Sequence, residues 1–293
     1  MSVHGVLRAQ LADEVTRLSR LIETDLRGTR REDPAPRDFS DLGTINAGLL
    51  LHRLWLSADR DEVQTALRQA QLRAVAAACR QVPGELLEAI HARRAAAAAA
   101  LAEQNPGLTW QTMLITPMWR LVVGHGGDSV HESSLTLSFT YGVPVLPATA
   151  LKGLAAAAAR DCETGWSKLD TRVFGSPRPD HPAAADRGSV VIWDALPIDS
   201  PQLVLDVLTP HVKDYYDAGN KTHEPTVQPA EYHNPVPIRF LAVEKTPFRC
   251  YLIGPPEDVD RCVTLIATGL AELGIGGKTA AGYGYCLAAE EAC

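Results

Sequence analysis

At Asn105-Pro106-Gly107 the sequence changes its periodicity, and this change constrains the fold more than any other feature of the chain. Before it, apolar residues recur at helical spacing, as in Leu7, Leu11, Leu18 and Leu21 and again in Leu49, Leu50 and Leu54. Three or four helices are predicted there, broken by the polar stretch Arg27-Gly28-Thr29-Arg30-Arg31-Glu32-Asp33-Pro34 and by a turn and restart at Pro83-Gly84. The Ala95 to Ala100 run is a strong helix former with little side chain to bury, which suits close packing on a neighbour or a solvated helix. Beyond Gly107, strands alternate with single helices. Thr112 to Val123 is strand-like apart from Pro117, Thr149 to Cys162 is helical, and Ser189 to Leu196 and Leu203 to Leu208 are strand-like. Strands at Val236 to Val243 and Pro247 to Ile253, a helix from about Pro256 to Leu273 and a last strand from Gly282 to Ala288 complete the series.

With Leu203 to Leu208 and one later strand counted as additions, the order is β-α-β-β-α-β. That order predicts an α+β, ferredoxin-like (RRM-like) sandwich, a fold that often presents its sheet to RNA. The expected organisation is a helical N-terminal extension over 1–106 and a ferredoxin-like domain over 107–293. The polar segment from 211 to 234 is too long for an ordinary connection and reads as an inserted functional loop or a disordered segment. Deleting 213 to 233 should therefore leave the chain folded.

Charge narrows the function classes. The 293 residues carry a formal net charge of −7, which argues against a general grip on nucleic acid but leaves room for a local site. Residues 1–110 balance 14 Arg against 14 acidic residues with no Lys, so the deficit lies wholly in the second part. The six cysteines (Cys79, Cys162, Cys250, Cys262, Cys286, Cys293) form no C-x-x-C pair, and the N-terminus has no basic-then-apolar leader pattern. A reduced, cytoplasmic protein without structural zinc is expected. No apolar run approaches the roughly 18 to 20 residues needed to cross a bilayer.

Two constellations carry chemistry. The first is Val145-Leu146-Pro147-Ala148-Thr149-Ala150-Leu151-Lys152-Gly153-Leu154, with Thr149 as the expected N-cap and Lys152 in the first helical turn. A cation at a helix start opposes the macrodipole unless the site expects an anion; free N–H groups there, Lys152 and, eight residues on, Arg160 would follow a phosphate chain. The plain alternative is a solvated lysine on an amphipathic helix. The second is Gly269, Gly274, Gly276, Gly277, Gly282 and Gly284, six glycines in 16 residues against 22 in the whole chain. Gly277-Lys278-Thr279 invites a phosphate-loop reading, but Glu272 stands where the first Gly of that motif belongs and too little chain follows for its helix and strand. The dinucleotide fingerprint fails at Thr279. What is left is a Gly-rich loop carrying Lys278, Thr279 and Tyr283, with amides available to a phosphate chain, or else a mobile turn.

Together and in this order, the two constellations resemble the RAMP proteins of CRISPR–Cas systems, which pair a P-G-[ST]-[ST]-L-K-G-like segment before a helix with a C-terminal glycine-rich loop. Arg120-Leu121-Val122-Val123-Gly124, Glu132-Ser133-Ser134-Leu135-Thr136-Leu137, Asp194-Ala195-Leu196-Pro197 and Asp206-Val207-Leu208-Thr209-Pro210-His211 extend the resemblance over about residues 112 to 288. It implies a non-catalytic subunit of a type III-B (Cmr) effector complex in antiviral defence, binding guide RNA near its 3′ end and closing a filament of RAMP subunits and small helical subunits. Target RNA would be a further partner; no cofactor, metal, membrane or small-molecule substrate is implied. Thr149, Lys152, Arg160, Gly274, Gly276, Gly277, Lys278, Thr279 and Tyr283 would form the RNA path, and the 211 to 234 segment occupies the place of a thumb. Ala148 and Ala150 depart from the usual Gly and Ser or Thr.

The same family contains metal-independent endoribonucleases, so histidine catalysis is the alternative. The candidates are His125, His131, His211, His223 and His233; Gly124-His125-Gly126-Gly127-Asp128 is the most suggestive, and His211, His223 and His233 have no helical or compact metal-ligand spacing. A nucleotide-binding enzyme built on Gly277-Lys278-Thr279 is a weaker third reading.

Overall fold

The computed structural model describes residues 45–53, 61–126, 134–161, 167–175, 186–209 and 237–291. The expected helices around Leu7 to Leu21, the Arg27 to Pro34 break, Leu54 and the 211 to 234 insertion lie outside them. So do His131, His211, His223, His233, Cys162 and Asp128.

Among the described residues, three helices precede the first strand: α1 (Ala47–His52), α2 (Asp61–Arg80) and α3 (Gly84–Gln104). Asn46 caps α1, its Oδ1 accepting from the N–H of Gly48 at 2.9 Å and of Leu49 at 3.2 Å. Its Nδ2 donates to the carbonyls of Phe139 and Thr140, so one side chain both starts the helix and ties it to a distant turn. Pro83 is extended at the start of α3, the predicted restart. The strands and helices that follow are β1 (Thr109–Pro117), β2 (Arg120–Leu121), α4 (Ala148–Asp161), α5 (Lys168–Phe174), β3 (Val191–Ile192), β4 (Leu196–Pro197), β5 (Gln202–Leu208), β6 (Ile238–Glu244), β7 (Phe248–Gly254), α6 (Pro256–Glu272) and β8 (Cys286–Glu291).

The strands form two antiparallel sheets, giving a mixed α+β fold. A five-stranded sheet has the spatial order β3-β7-β1-β8, with β4 also on β7, and a three-stranded sheet has the order β2-β6-β5. Pro117 lacks a donor and ends β1; after Met118 and Trp119 the chain restarts as β2 in the second sheet. The single strand expected over Ser189 to Leu196 is two short ones, both paired to β7. The last strand starts at Cys286 rather than Gly282, because Gly282 and Gly284 take left-handed φ of 87° and 79°.

In β1 and β7, alternation splits the side chains between two faces. Met113, Ile115, Cys250 and Leu252 join Val259, Cys262 and Ile266 of α6 and Leu151 and Ala155 of α4 in the main core. The same cluster includes Leu72, Val75 and Cys79 of α2 and Leu203 and Leu241 of the second sheet, so the N-terminal helices share the core of the strands. On the opposite face, Tyr251 and Ile253 pack with Trp110, Trp193 and Ala98 of α3. The Tyr251 hydroxyl donates to the His91 carbonyl at 3.0 Å, and His91 Nε2 lies 2.9 Å from the Pro197 carbonyl. On this side α3, drawn close by its alanines, covers the sheet face. Gly269 belongs to α6 rather than to a loop; a Cβ there would meet Leu154 Cγ at 2.7 Å, so this glycine permits the α4–α6 contact. Among the described residues no helix is long and apolar enough to cross a membrane.

Candidate nucleic-acid interface

The loop between α6 and β8 is built on backbone packing. Gly274 and Gly276 have φ of 72° and 86°, and a Cβ at Gly276 would fall 2.3 Å from the Val122 carbonyl oxygen. A Cβ at Gly284 would fall 2.0 Å from the Ile275 carbonyl oxygen. Lys278 itself is left-handed at φ 62° and leads into a short 3-10 turn, Thr279–Ala281. The loop's amides are not all free, as the sequence reading had them. Gly277 N–H donates to Val122 O at 2.7 Å, Gly284 N–H to Arg120 O at 2.8 Å, and Gly274 N–H to Gly269 O at 2.9 Å. Among the described residues, the N–H groups of Gly276, Lys278 and Thr279 make no hydrogen bond. The glycine density therefore does two jobs: it welds the loop to β2 and the chain after it, and it leaves the amides of Gly276, Lys278 and Thr279 available.

An aromatic and charged cluster lies against this loop. Lys278 Nζ stands 5.6 Å from the Phe240 ring centroid, and the His125 ring meets Phe240 edge-on at 5.4 Å. Tyr283 is buried, and its hydroxyl donates to Asp206 Oδ2 at 2.6 Å. Arg120 donates to the same oxygen at 2.6 Å and to Glu244 Oε1 at 3.2 Å. Trp119, 47% exposed, lies 4.9 Å from the Tyr283 ring and 5.1 Å from the Arg120 guanidinium carbon. Burial and the Asp206 carboxylate push the Tyr283 phenol up to about 12, so it stays a donor. Burial pulls the Asp206 carboxyl upward, but hydrogen bonds from Tyr283 and Arg120 outweigh it and hold it below the ordinary value. Burial, aided by the Lys278 charge, lowers the His125 imidazole, which is therefore neutral near pH 7.

The first constellation sits elsewhere. The helix starts at Ala148, so Thr149 is an exposed first-turn residue and not the N-cap; the Pro147 carbonyl accepts from Ala150 and Leu151. The Ala148 N–H is taken by Asp194 Oδ1 at 2.7 Å, which replaces the expected anion at this helix start with a carboxylate of the chain itself. Lys152 is half-buried on the side of α6, where its charge opposes the burial that pushes the Cys262 thiol up to about 12. Arg160 is exposed and bonds back to the Ala156 carbonyl of its own helix. Gly274 to Thr279 and Tyr283 thus form one neighbourhood, while Thr149, Lys152 and Arg160 line α4. Sequence reasoning missed Trp119, Phe240 and Asp206. The apolar pair Met118-Trp119 directly after Pro117, both exposed, was the available signal for the first.

A sheet flanked by two helices, with a glycine-rich loop returning from the second helix to its edge, defines a class, and comparison with known proteins gives it a name. The model of the RAMP superfamily matches residues 113–286, and the chain belongs to that superfamily. Within it, the chain is similar to the CRISPR system Cmr subunit Cmr6 of Pyrococcus furiosus, 30% identical over 222 residues, covering 56% of this chain and 64% of that protein. The chain thus spans less than two thirds of that relative's length. A chain in a cryo-EM structure of the type III-B Cmr-beta complex bound to cognate target RNA shares the fold, with a TM-score of 0.60 at 18% identity over 96% of this chain and 97% of that one. A crystal structure of Cmr6 from Pyrococcus furiosus matches 61% of this chain and 98% of its own at 28% identity, with a TM-score of 0.35.

Proposed function

We propose that this chain is the sixth subunit of a type III-B (Cmr) effector complex, a non-catalytic subunit that binds guide RNA near its 3′ end and caps the filament of RAMP subunits. The observation that carries the reading is the loop Gly274–Gly284, where the unengaged amides of Gly276, Lys278 and Thr279 and the Lys278 charge share a cluster with an exposed tryptophan. Open amides and a cation take phosphate, and an aromatic face takes a base, which is the chemistry of single-stranded RNA binding. Membership of the RAMP superfamily and the similarity to Cmr6 support it. In this proposal Gly276, Lys278 and Thr279 touch the RNA, Gly274 and Gly277 shape the loop, and Tyr283 holds it through Asp206. Lys152, with Thr149 and Arg160, continues the path along α4. The spatial order β8-β1-β7-β3, last-first-third-second among the strands of the main repeat, supports the ferredoxin-like reading of 107–293, with 1–106 as a helical extension whose described helices α1 and α2 share its core.

The test is RNA affinity against salt. Lys278→Ala and Lys152→Ala should each weaken guide binding with little dependence on sequence and reduce the slope of log affinity against log salt by about 0.7, one phosphate on single-stranded RNA. Unchanged slopes in both variants would overturn the assignment. A parallel incubation with labelled guide precursor, with and without EDTA, guards against the endoribonuclease reading: site-specific cuts lost in His125→Ala would replace the scaffold. Tight ATP binding lost in Lys278→Ala would favour a nucleotide-binding enzyme instead.

A further inference from the structure

A cleft of about 600 Å³ opens where α3, the start of α4, the chain from Trp193 to Leu196 and the turn at Ser138 to Tyr141 meet. Its size is that of a small-ligand site. Trp193, Tyr141 and Phe139 line it, and Phe139 is 70% exposed. Arg94 places its guanidinium carbon 5.6 Å from the Trp193 ring and 5.1 Å from the Tyr251 ring, and it donates to the Asp194 carbonyl at 2.5 Å. Asp194 is exposed; its Oδ1 accepts from Ala148 N–H, and among the described residues its Oδ2 has no hydrogen-bond partner. The cleft thus combines flat apolar walls with a carboxylate at one end, held in place by the first amide of α4.

That combination discriminates between ligands. A phosphate would meet the Asp194 carboxylate, and the Arg94 cation is already turned to a carbonyl and two ring faces. An aliphatic side chain would leave the carboxylate without a donor. A flat ring with N–H donors on its edge satisfies both features at once. We propose that this cleft takes one unstacked base of the bound RNA, with Trp193 and Tyr141 as its walls and Asp194 reading its hydrogen-bonding edge. Guanine, whose N1–H and N2–H₂ donors lie side by side, suits the carboxylate best; adenine and cytosine offer one amino group each, and uracil only an imino N–H. The inference rests on the guide-binding reading above, since a base enters here only if RNA passes α4.

The cleft is tested without the rest of the RNA. Saturation-transfer NMR of the full chain with 5′-GMP, AMP, CMP and UMP at millimolar concentration should give the strongest transfer to base protons for GMP and the weakest for UMP. Asp194→Asn keeps an acceptor for the Ala148 N–H, so the helix start is preserved, yet it should weaken GMP about tenfold and flatten the order of bases. Trp193→Leu should abolish transfer for all four, and a thermal melt decides whether it is folded; Asp194→Asn carries the test if it is not. A GMP preference unchanged in Asp194→Asn overturns the proposal. So does saturation of N-acetylarginine amide in place of any nucleotide, which would assign the cleft to an arginine of a protein partner. The two readings fail separately. Loss of affinity for guide RNA in Lys152→Ala with an unaltered base order in Asp194→Asn removes the cleft and keeps the guide path. A flattened base order with unaltered guide affinity in Lys152→Ala and Lys278→Ala does the reverse.

Discussion

Tyr283 and Asp206 show how a single contact shapes the interface. The phenol is buried and donates a hydrogen bond to a carboxylate that also accepts from Arg120, so three elements, β2, β5 and the glycine loop, meet on one oxygen. Tyr283→Phe keeps the ring and removes the donor; it should cost about 2 kcal/mol in urea denaturation and loosen Lys278 with it. The pH dependence follows from the direction of the Asp206 shift. Its folded value lies below the ordinary 3.8, so its contribution to stability is complete above that value and is lost as pH falls through the lower folded value. Asp206→Asn should therefore flatten the acid limb of a plot of Tm against pH below about pH 4, leaving the shape above pH 6 unaltered; an unchanged acid limb would contradict this. At Gly276 any side chain would collide with the Val122 carbonyl at a left-handed φ, and Gly276→Ala should cost about 2 kcal/mol and lower RNA affinity with it. These positions differ in legibility. The glycine density was visible in the sequence, but which amides it leaves open was not, because Val122, Arg120 and Gly269 supply the competing carbonyls from other elements.

At the scale of elements, α3 is the decisive one. Its alanine run reads as helix from composition alone, and alanine is also what allows the helix to lie against Tyr251 and Ile253. Ala98 is fully buried there, while Ala96 and Ala97 are exposed. Ala98→Leu should overpack this contact and cost about 2 kcal/mol, whereas Ala97→Leu should leave the urea midpoint unchanged. Equal effects would mean that α3 does not rest on the sheet by this face. The helix also closes a sheet face whose cover the sequence does not announce. Period-two alternation in β1 and β7 identifies two apolar faces, and nothing local says that a helix 150 residues away in sequence from β7 covers the second. α4 was legible from Ala148 to Asp161 almost to the residue, yet its cap was not: a Thr in the right place was passed over for Asp194, 46 residues on.

For the whole molecule, the charge pattern sets the expected affinity. With a formal net charge of −7, the isolated chain should bind arbitrary single-stranded RNA at about 10⁻⁵ M or weaker at physiological salt. Nanomolar affinity by fluorescence anisotropy would contradict the reading of a subunit whose groove is completed by neighbours. By itself the sequence determined what depends on neighbours along the chain: the change from helix to strand at Asn105-Pro106-Gly107, the order of elements, the crowded glycines and the cations at Lys152 and Lys278. Periodicity, helix propensity and turn chemistry act over a few residues and are written locally. Only the tertiary structure decided which sheet face is closed, which loop amides stay open and that Arg94, Tyr141 and Asp194 share one cleft. Each of those depends on hydrogen bonds and packing between residues tens to more than a hundred positions apart, and no local pattern records such pairings.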